Sequence, residues 1–265
     1  MEFLFGIEAP MIEYLALFFV GSCVGSFLNV VIYRVPRGES IVKPPSHCPR
    51  CNKFIKPWEN VPIFSFIFLG GKCSNCKLPI SWQYPLIEAI TGLSLVILLY
   101  RFGWSKELLI YGVLSAHLIA LSVIDIQVYR LPNPIVLSGA IFALILNIVF
   151  RPDVWLEMIL GGLIGIGFLM IVGLLGNLIT RKETLGMGDV KLAGMIGITV
   201  GIWHTLGMFA FGYFLGAIIG GIMLLIGAKT MSNKLPFGPY LSIGVFISLL
   251  WGSELWRFYT NLVFA

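Results

Sequence analysis

Two kinds of residue in this 265-residue chain could do chemistry: cysteines in pairs and aspartates standing apart. Cys48-Pro-Arg-Cys51 and Cys73-Ser-Asn-Cys76 are two CxxC pairs with 21 residues between them. That gap is slightly wider than the usual ribbon spacing. Each pair can set two thiolates on one metal, and four complete a tetrahedral zinc site. Disulfides or a redox CxxC are the rival readings. A four-thiolate zinc site leaves no coordination position open, so it is structural rather than catalytic. His47, beside Cys48, is either a substitute ligand or a surface histidine. Cys23 stands alone in an apolar run and reads as a small buried residue.

The chain holds three aspartates. Asp153 sits in a short connection and reads as solvated. Asp125 closes an apolar run in Ser122-Val-Ile-Asp125, and Asp189 opens another in Gly186-Met-Gly-Asp189. Ionisable groups in membrane spans are costly and functional by default. An acid at a helix start is favoured by the dipole, so Asp189 has an ordinary explanation as a helix-end residue. For Asp125 that explanation is weaker, because an acid at a helix C-terminus is disfavoured. Two carboxylates on one membrane face can share a proton. One then takes a proton from water while the other, protonated, polarises a scissile carbonyl. By the helix ends alone, Asp125 holds the proton at rest and Asp189 is the better base. Gly186 and Gly188 leave room for a substrate backbone to approach.

The elements that must position these groups are set by composition. Hydrophobic residues make up 58% of the chain and charged residues 12%, against roughly 25% charged in soluble proteins. The apolar residues come in runs long enough to cross a bilayer. The expectation is an all-α polytopic membrane protein with about eight spans. They lie near 11–33, 84–100, 107–125, 134–150, 157–179, 189–203, 206–228 and 237–258. Glu2, Glu8 and Glu13 replace the basic region of a signal peptide, so the first run reads as a permanent span.

The net charge of +5 is a topology signal and not a mark of nucleic-acid binding. With eight spans, 14 of the 18 basic residues fall on one side, Lys182, Lys191, Lys229 and Lys234 among them. That side is the cytoplasm by the positive-inside rule, and it holds the long loop 34–83 and both aspartates. The loop is too long for a simple connection and reads as a small cytoplasmic zinc-binding domain between spans 1 and 2. There the reducing environment argues against disulfides. No sequence repeat is evident. Gly21 and Gly25, Gly161 and Gly165, and Gly212, Gly216 and Gly220 make GxxxG steps that suit close helix packing. In Leu131-Pro-Asn133-Pro134, Asn133 is expected to cap a helix with Pro134 at its first position.

Taken together the motifs resemble the bacterial prepilin peptidases, GxGD-type aspartyl proteases. The resemblance rests on Gly186-Met-Gly-Asp189, Gly25-Ser-Phe-Leu-Asn29-Val-Val-Ile-Tyr-Arg34, the paired CxxC loop, Tyr84-Pro-Leu-Ile-Glu88, Asp125 with Leu131-Pro-Asn133, and Pro236-Phe-Gly-Pro239. It runs in the family's order over nearly the whole chain. It implies leader cleavage of prepilins and pseudopilins, substrates with a basic leader and an apolar N-terminal helix, at the cytoplasmic face of the inner membrane. It also implies N-methylation of the new terminus with S-adenosylmethionine. Asp125 and Asp189 take the catalytic positions, and Cys48, Cys51, Cys73 and Cys76 the zinc positions. Glu88 matches a family glutamate and is either an amine contact for methylation or a helix-end acid. The division expected is 1–100, methylation-associated with the zinc loop 34–83, and 101–265, a six-span peptidase core. An ion- or proton-coupled transporter also keeps acids in its spans, and a zinc-bearing scaffold is a third reading. A transporter would often show repeated halves and acids near the midplane, whereas no repeat is evident and the acids sit near one face. The scaffold leaves Gly-Met-Gly-Asp189 and the same-side aspartates unexplained.

Overall fold

The structure, a computed structural model, describes residues 10–181, 184–227 and 236–263. Lys182, Lys229 and Lys234 of the charge count lie outside them. The helices are α1 (Met11–Arg34), α2 (Phe64–Phe68), α3 (Gln83–Phe102), α4 (Lys106–Val128), α5 (Asn133–Phe150), α6 (Trp155–Thr180), α7 (Met187–Leu225) and α8 (Gly238–Val263). Among the described residues there are two isolated β-bridges and no strand. Among the described residues, each apolar run falls largely on a helix. Six helices, α1 and α3 to α7, are long and apolar enough to cross a membrane. The short α2, inside the loop 34–83, was not expected.

The chain forms two compact units, 1–120 and 121–265. In the first, α1 and α3 pack along small residues. A Cβ on Gly21 would stand 2.8 Å from the Cα of Gly92, and one on Gly25 would stand 2.7 Å from the Cα of Glu88. Buried Asn29 donates to the carbonyls of Gly25 and Tyr84, both at 3.2 Å. Arg34, also buried, ties the following loop to the end of α1 by donating to Ser40 O at 2.9 Å. Cys23 is exposed on α1, a correction to its reading as buried. On a spanning helix lipid is the apolar medium, so a thiol need not be covered by protein.

In the second unit α7 packs on α6 and α8. Gly161 and Gly165 meet the backbone of Gly197 and Ala193, and Gly212 meets that of Tyr240. These are the close approaches that small residues permit. Gly201, with φ 79° and ψ −175°, breaks α7 in a region open to glycine. Gly165 touches Ala193, yet Phe168, three residues on, places its ring centroid 4.4 Å from that of Phe209. On a straight helix residues 193 and 209 would be about 24 Å apart. The chain therefore doubles back at Gly201, two residues before the end of the run 189–203 and ahead of the run 206–228.

Asn133 does not cap α5. Pro132 occupies that position without a side-chain bond, and Asn133 is already helical. Its Oδ1 instead accepts from Lys191 Nζ of α7 at 2.9 Å.

Candidate active site and metal centre

The four paired cysteines meet in the first unit, with all Sγ atoms within 4.8 Å of one another. Cys48 and Cys76 are 3.9 Å apart, close to the ~3.8 Å edge of a tetrahedron with 2.3 Å zinc–sulfur bonds. Two turns of one design bring them there. Cys48 N–H donates to Lys53 O, Asn52 N–H to Cys48 O and Ile55 N–H to Ser46 O. Cys73, Lys77 and Ile80 repeat the pattern on Leu78, Cys73 and Gly71. Bridges His47–Phe54 and Lys72–Pro79 follow the same offset. The residue after each second cysteine, Asn52 or Lys77, takes positive φ, 55° and 60°. The loop is thus an internal structural repeat, missed in the sequence because the two turns share little beyond the cysteines.

The thiol chemistry fits a cation. The backbone N–H of Lys53 and then the Asn75 amide hold the Cys51 thiol down to about 6. The N–H groups of Cys76 and Asn75 lower Cys73. Cys76 receives the Leu78 N–H, but burial and the neighbouring thiols of Cys73, Cys51 and Cys48 outweigh it and push it up to about 11. Backbone donors thus favour the thiolate at Cys51 and Cys73, while burial and the neighbouring thiols oppose it at Cys76. The cluster could hold zinc. Among the described residues, His47 Nδ1 is 3.0 Å from Pro45 O, and it is not part of the cluster.

Glu88 is buried on α3, and its Oε2 accepts the N–H of Ile63 at 2.7 Å. Ile63 has φ 62° and ψ −52°, and Phe64 N–H closes on Pro62 O at 2.6 Å. This is a strained γ-turn, unusual for a β-branched residue. Glu88 therefore holds the loop onto α3, and it is not a helix-end acid reaching water.

Asp125 and Asp189 both lie in the second unit, and the charge on one is felt at the other. Asp125 is buried near the end of α4, and its Oδ2 accepts the N–H of Gly238, the first residue of α8, at 2.9 Å. Gly238 belongs to Pro236-Phe-Gly-Pro239, so that motif fixes the Asp125 carboxylate. Asp189 is in the first turn of α7, where its N–H donates to Gly186 O at 3.0 Å. Leu131, from the turn between α4 and α5, links the two. Its side chain lies 3.0 Å from where a Gly188 Cβ would stand and 3.4 Å from where a Gly238 Cβ would stand. The glycines also serve packing and placement within the site. The space beside Gly188 is filled by Leu131, and that beside Gly186 faces the Asp189 carboxylate at 3.1 Å.

Tyr213, beyond the Gly201 turn, was also missed. It is close enough to Asp189 to feel its charge, and its ring centroid is 5.1 Å from that of Phe237. Among the described residues its buried hydroxyl has no hydrogen-bond partner. Only the reversal of α7 brings it to the aspartates, and no local pattern marks it. Asp153 lies exposed in the 3-10 turn Pro152–Val154, apart from the pair.

Residues 19–102 match the bacterial peptidase A24 N-terminal domain, and residues 112–221 match the type IV leader peptidase family. A prepilin leader peptidase/N-methyltransferase of Pseudomonas aeruginosa is 36% identical, the alignment covering 94% of this chain and 97% of the relative. One from Pseudomonas putida is 36% identical over 89% and 90%. One from Bacillus subtilis is 32% identical over 93% and 97%. No solved structure matches the chain. With these relatives spanning nearly its full length, the chain belongs to the prepilin leader peptidase/N-methyltransferases of the type IV leader peptidase family.

Proposed function

We propose that this chain cuts the leader from type IV prepilins or pseudopilins with Asp125 and Asp189, then methylates the new N-terminus with S-adenosylmethionine. The observation that supports the cleavage reading is that Leu131 packs beside both Gly188, which adjoins Asp189, and Gly238, whose N–H holds the Asp125 carboxylate. One carboxylate takes a proton from water as the oxygen attacks the scissile carbonyl carbon. The other gives its proton to the carbonyl oxygen. Collapse of the tetrahedral intermediate breaks the C–N bond, and the first carboxyl returns its proton to the leaving amine. The methyl group then passes from sulfonium to the freed amine, which releases a proton.

The chain crosses the inner membrane eight times on this reading, with α7 making two passes joined at Gly201. The zinc loop and the dyad face the cytoplasm, where the methyl donor and the basic leader are found. Residues 1–100 serve methylation and 101–265 cleavage. Zinc is structural, held by Cys48, Cys51, Cys73 and Cys76. Glu88 contributes to methylation, either at the amine or by holding the loop.

The test is a purified-enzyme assay with a prepilin and S-adenosylmethionine, scored separately for cleavage and methylation. Asp125→Asn and Asp189→Asn each keep size and lose the titrating group. Each should cut cleavage by about 10³-fold or more, because the two act as a unit. Methylation of an already cut pilin should survive in both. Near-normal cleavage by either folded variant would sink the dyad.

A further inference from the structure

We propose that α2 is an interfacial helix whose Phe64, Ile67 and Phe68 lie in the headgroup–acyl boundary of the bilayer, with anionic lipid as the partner. The inference rests on the chain spanning a membrane and on neither enzymatic activity.

The three residues stand at i, i+3 and i+4, so they share one face. They are 52%, 65% and 85% exposed. A five-residue helix is too short to persist by its own hydrogen bonds. One that also turns three large apolar side chains outward has no reason to form in water.

Its depth is fixed from two directions. Ile63, which leads into α2, donates its N–H to Glu88. Glu88 lies five residues beyond Gln83, the start of α3, or about 7.5 Å along the helix axis. Interfacial helices bury their apolar faces about 5–10 Å. The start of α2 is thus held at the level where α3 is already within the membrane boundary. Trp82, just before α3, is 76% exposed, and its ring centroid is 4.8 Å from that of Phe66 on α2. Exposed tryptophan at a span's end is the mark of the interface. The surrounding charge completes the match. Residues 34–83 carry eight basic side chains and two acidic ones, the balance that anionic headgroups attract.

Glu88 and the γ-turn at Ile63 then acquire a shared purpose. The buried carboxylate holds a strained turn because that turn aims α2 at lipid. The thiolate module behind it is held against the membrane surface rather than hanging free.

The experiment replaces Phe64 or Phe68 by the photoreactive p-benzoylphenylalanine, a near-conservative change at exposed sites. The full chain is reconstituted into phosphatidylcholine vesicles containing phosphatidylglycerol, irradiated and weighed by intact mass spectrometry. Phe214, exposed on α7, is the lipid-facing control, and Glu39, exposed in the loop, is the aqueous one. Lipid adducts at 64 and 68 should come within about twofold of position 214 and exceed position 39 about tenfold, as burial in the boundary requires. Phosphatidylglycerol adducts should exceed that lipid's mole fraction about twofold. Adducts in strict proportion to lipid composition would overturn the anionic assignment. Adduct levels like those at position 39 would place the face in water and overturn the whole. Cross-links to a second copy of the chain would do the same by making the face a protein interface.

Discussion

The hydrogen bond from Gly238 to Asp125 yields the most demanding test of how the site is built. Consider Gly238→Ala. The new Cβ would stand 3.0 Å from Asp125 Oδ2, 3.4 Å from Leu131 Cδ2 and 3.5 Å from Asp125 Cβ. The first contact is too close for carbon and oxygen, so the carboxylate must retreat by a few tenths of an ångström. That lengthens the 2.9 Å bond from the Gly238 N–H. Such a bond to a charged group is worth about 1.5–3 kcal/mol. Losing roughly half of it costs about 1 kcal/mol, and 1.36 kcal/mol is tenfold in rate. Cleavage should therefore fall about five- to tenfold in kcat, with zinc content and methylation of mature pilin unchanged. Gly167→Ala is the control, since nothing lies within 4 Å of its Cβ position. It should cleave as the wild type does. The assay is a cleavage time course at saturating prepilin, with thermal melting to verify the fold. If Gly238→Ala cleaves at the wild-type rate while folded, Asp125 does not depend on a fixed carboxylate position. An equal fall in methylation would mean the change acts through the fold.

Other outcomes follow from the first unit and from the topology. Purified protein should carry about one zinc per chain, and the double change Cys48→Ser and Cys51→Ser should abolish it, as read by elemental analysis. Metal content that survives the pair would show the site is elsewhere. Glu88→Gln keeps an acceptor for the Ile63 N–H and should retain most methylation, whereas Glu88→Ala leaves a strained turn unheld and should lose it. Equal losses in a methyl-transfer assay would point instead to direct contact with the amine. A cysteine at Glu39 should react with an impermeant thiol reagent after lysis only, and one at Asp153 should react in intact cells. The reverse pattern would invert the topology.

The helices were legible because the bilayer imposes a simple code, apolar runs of set length ended by charge. Even the reversal within α7 has a mark in the sequence, since Gly201 lies two residues before the end of the run 189–203 and the next run starts at 206. Asp125, Asp189 and the four cysteines stood out because each type is rare and the spacing marked. What the sequence hid was contact between distant segments. The seat of Leu131 between Gly188 and Gly238 depends on three turns meeting, and Tyr213 reaches Asp189 only through the reversal of α7. Likewise α2 is five residues long and carries no periodic signal against the polar loop around it. Asn133 was misread because its cap chemistry and its bond to Lys191 use the same oxygen, and local sequence cannot say which partner wins.

The assignment of roles within the pair shows how one such contact changes an argument. From the helix ends alone, Asp125 meets the negative end of α4 and Asp189 the positive end of α7, a difference of about 0.3–1 kcal/mol at an exposed terminus. The structure adds a third helix end. The first N–H of α8 points at Asp125, so this carboxylate too meets the positive end of a helix. The two helix ends at Asp125 then oppose each other, so the helix-end argument for placing the resting proton there is reduced. On the proposed mechanism the pair titrates as a unit, and the bound peptide helps to set the roles. The carboxyl nearer the scissile oxygen becomes the donor, and the one nearer the attacking water becomes the base.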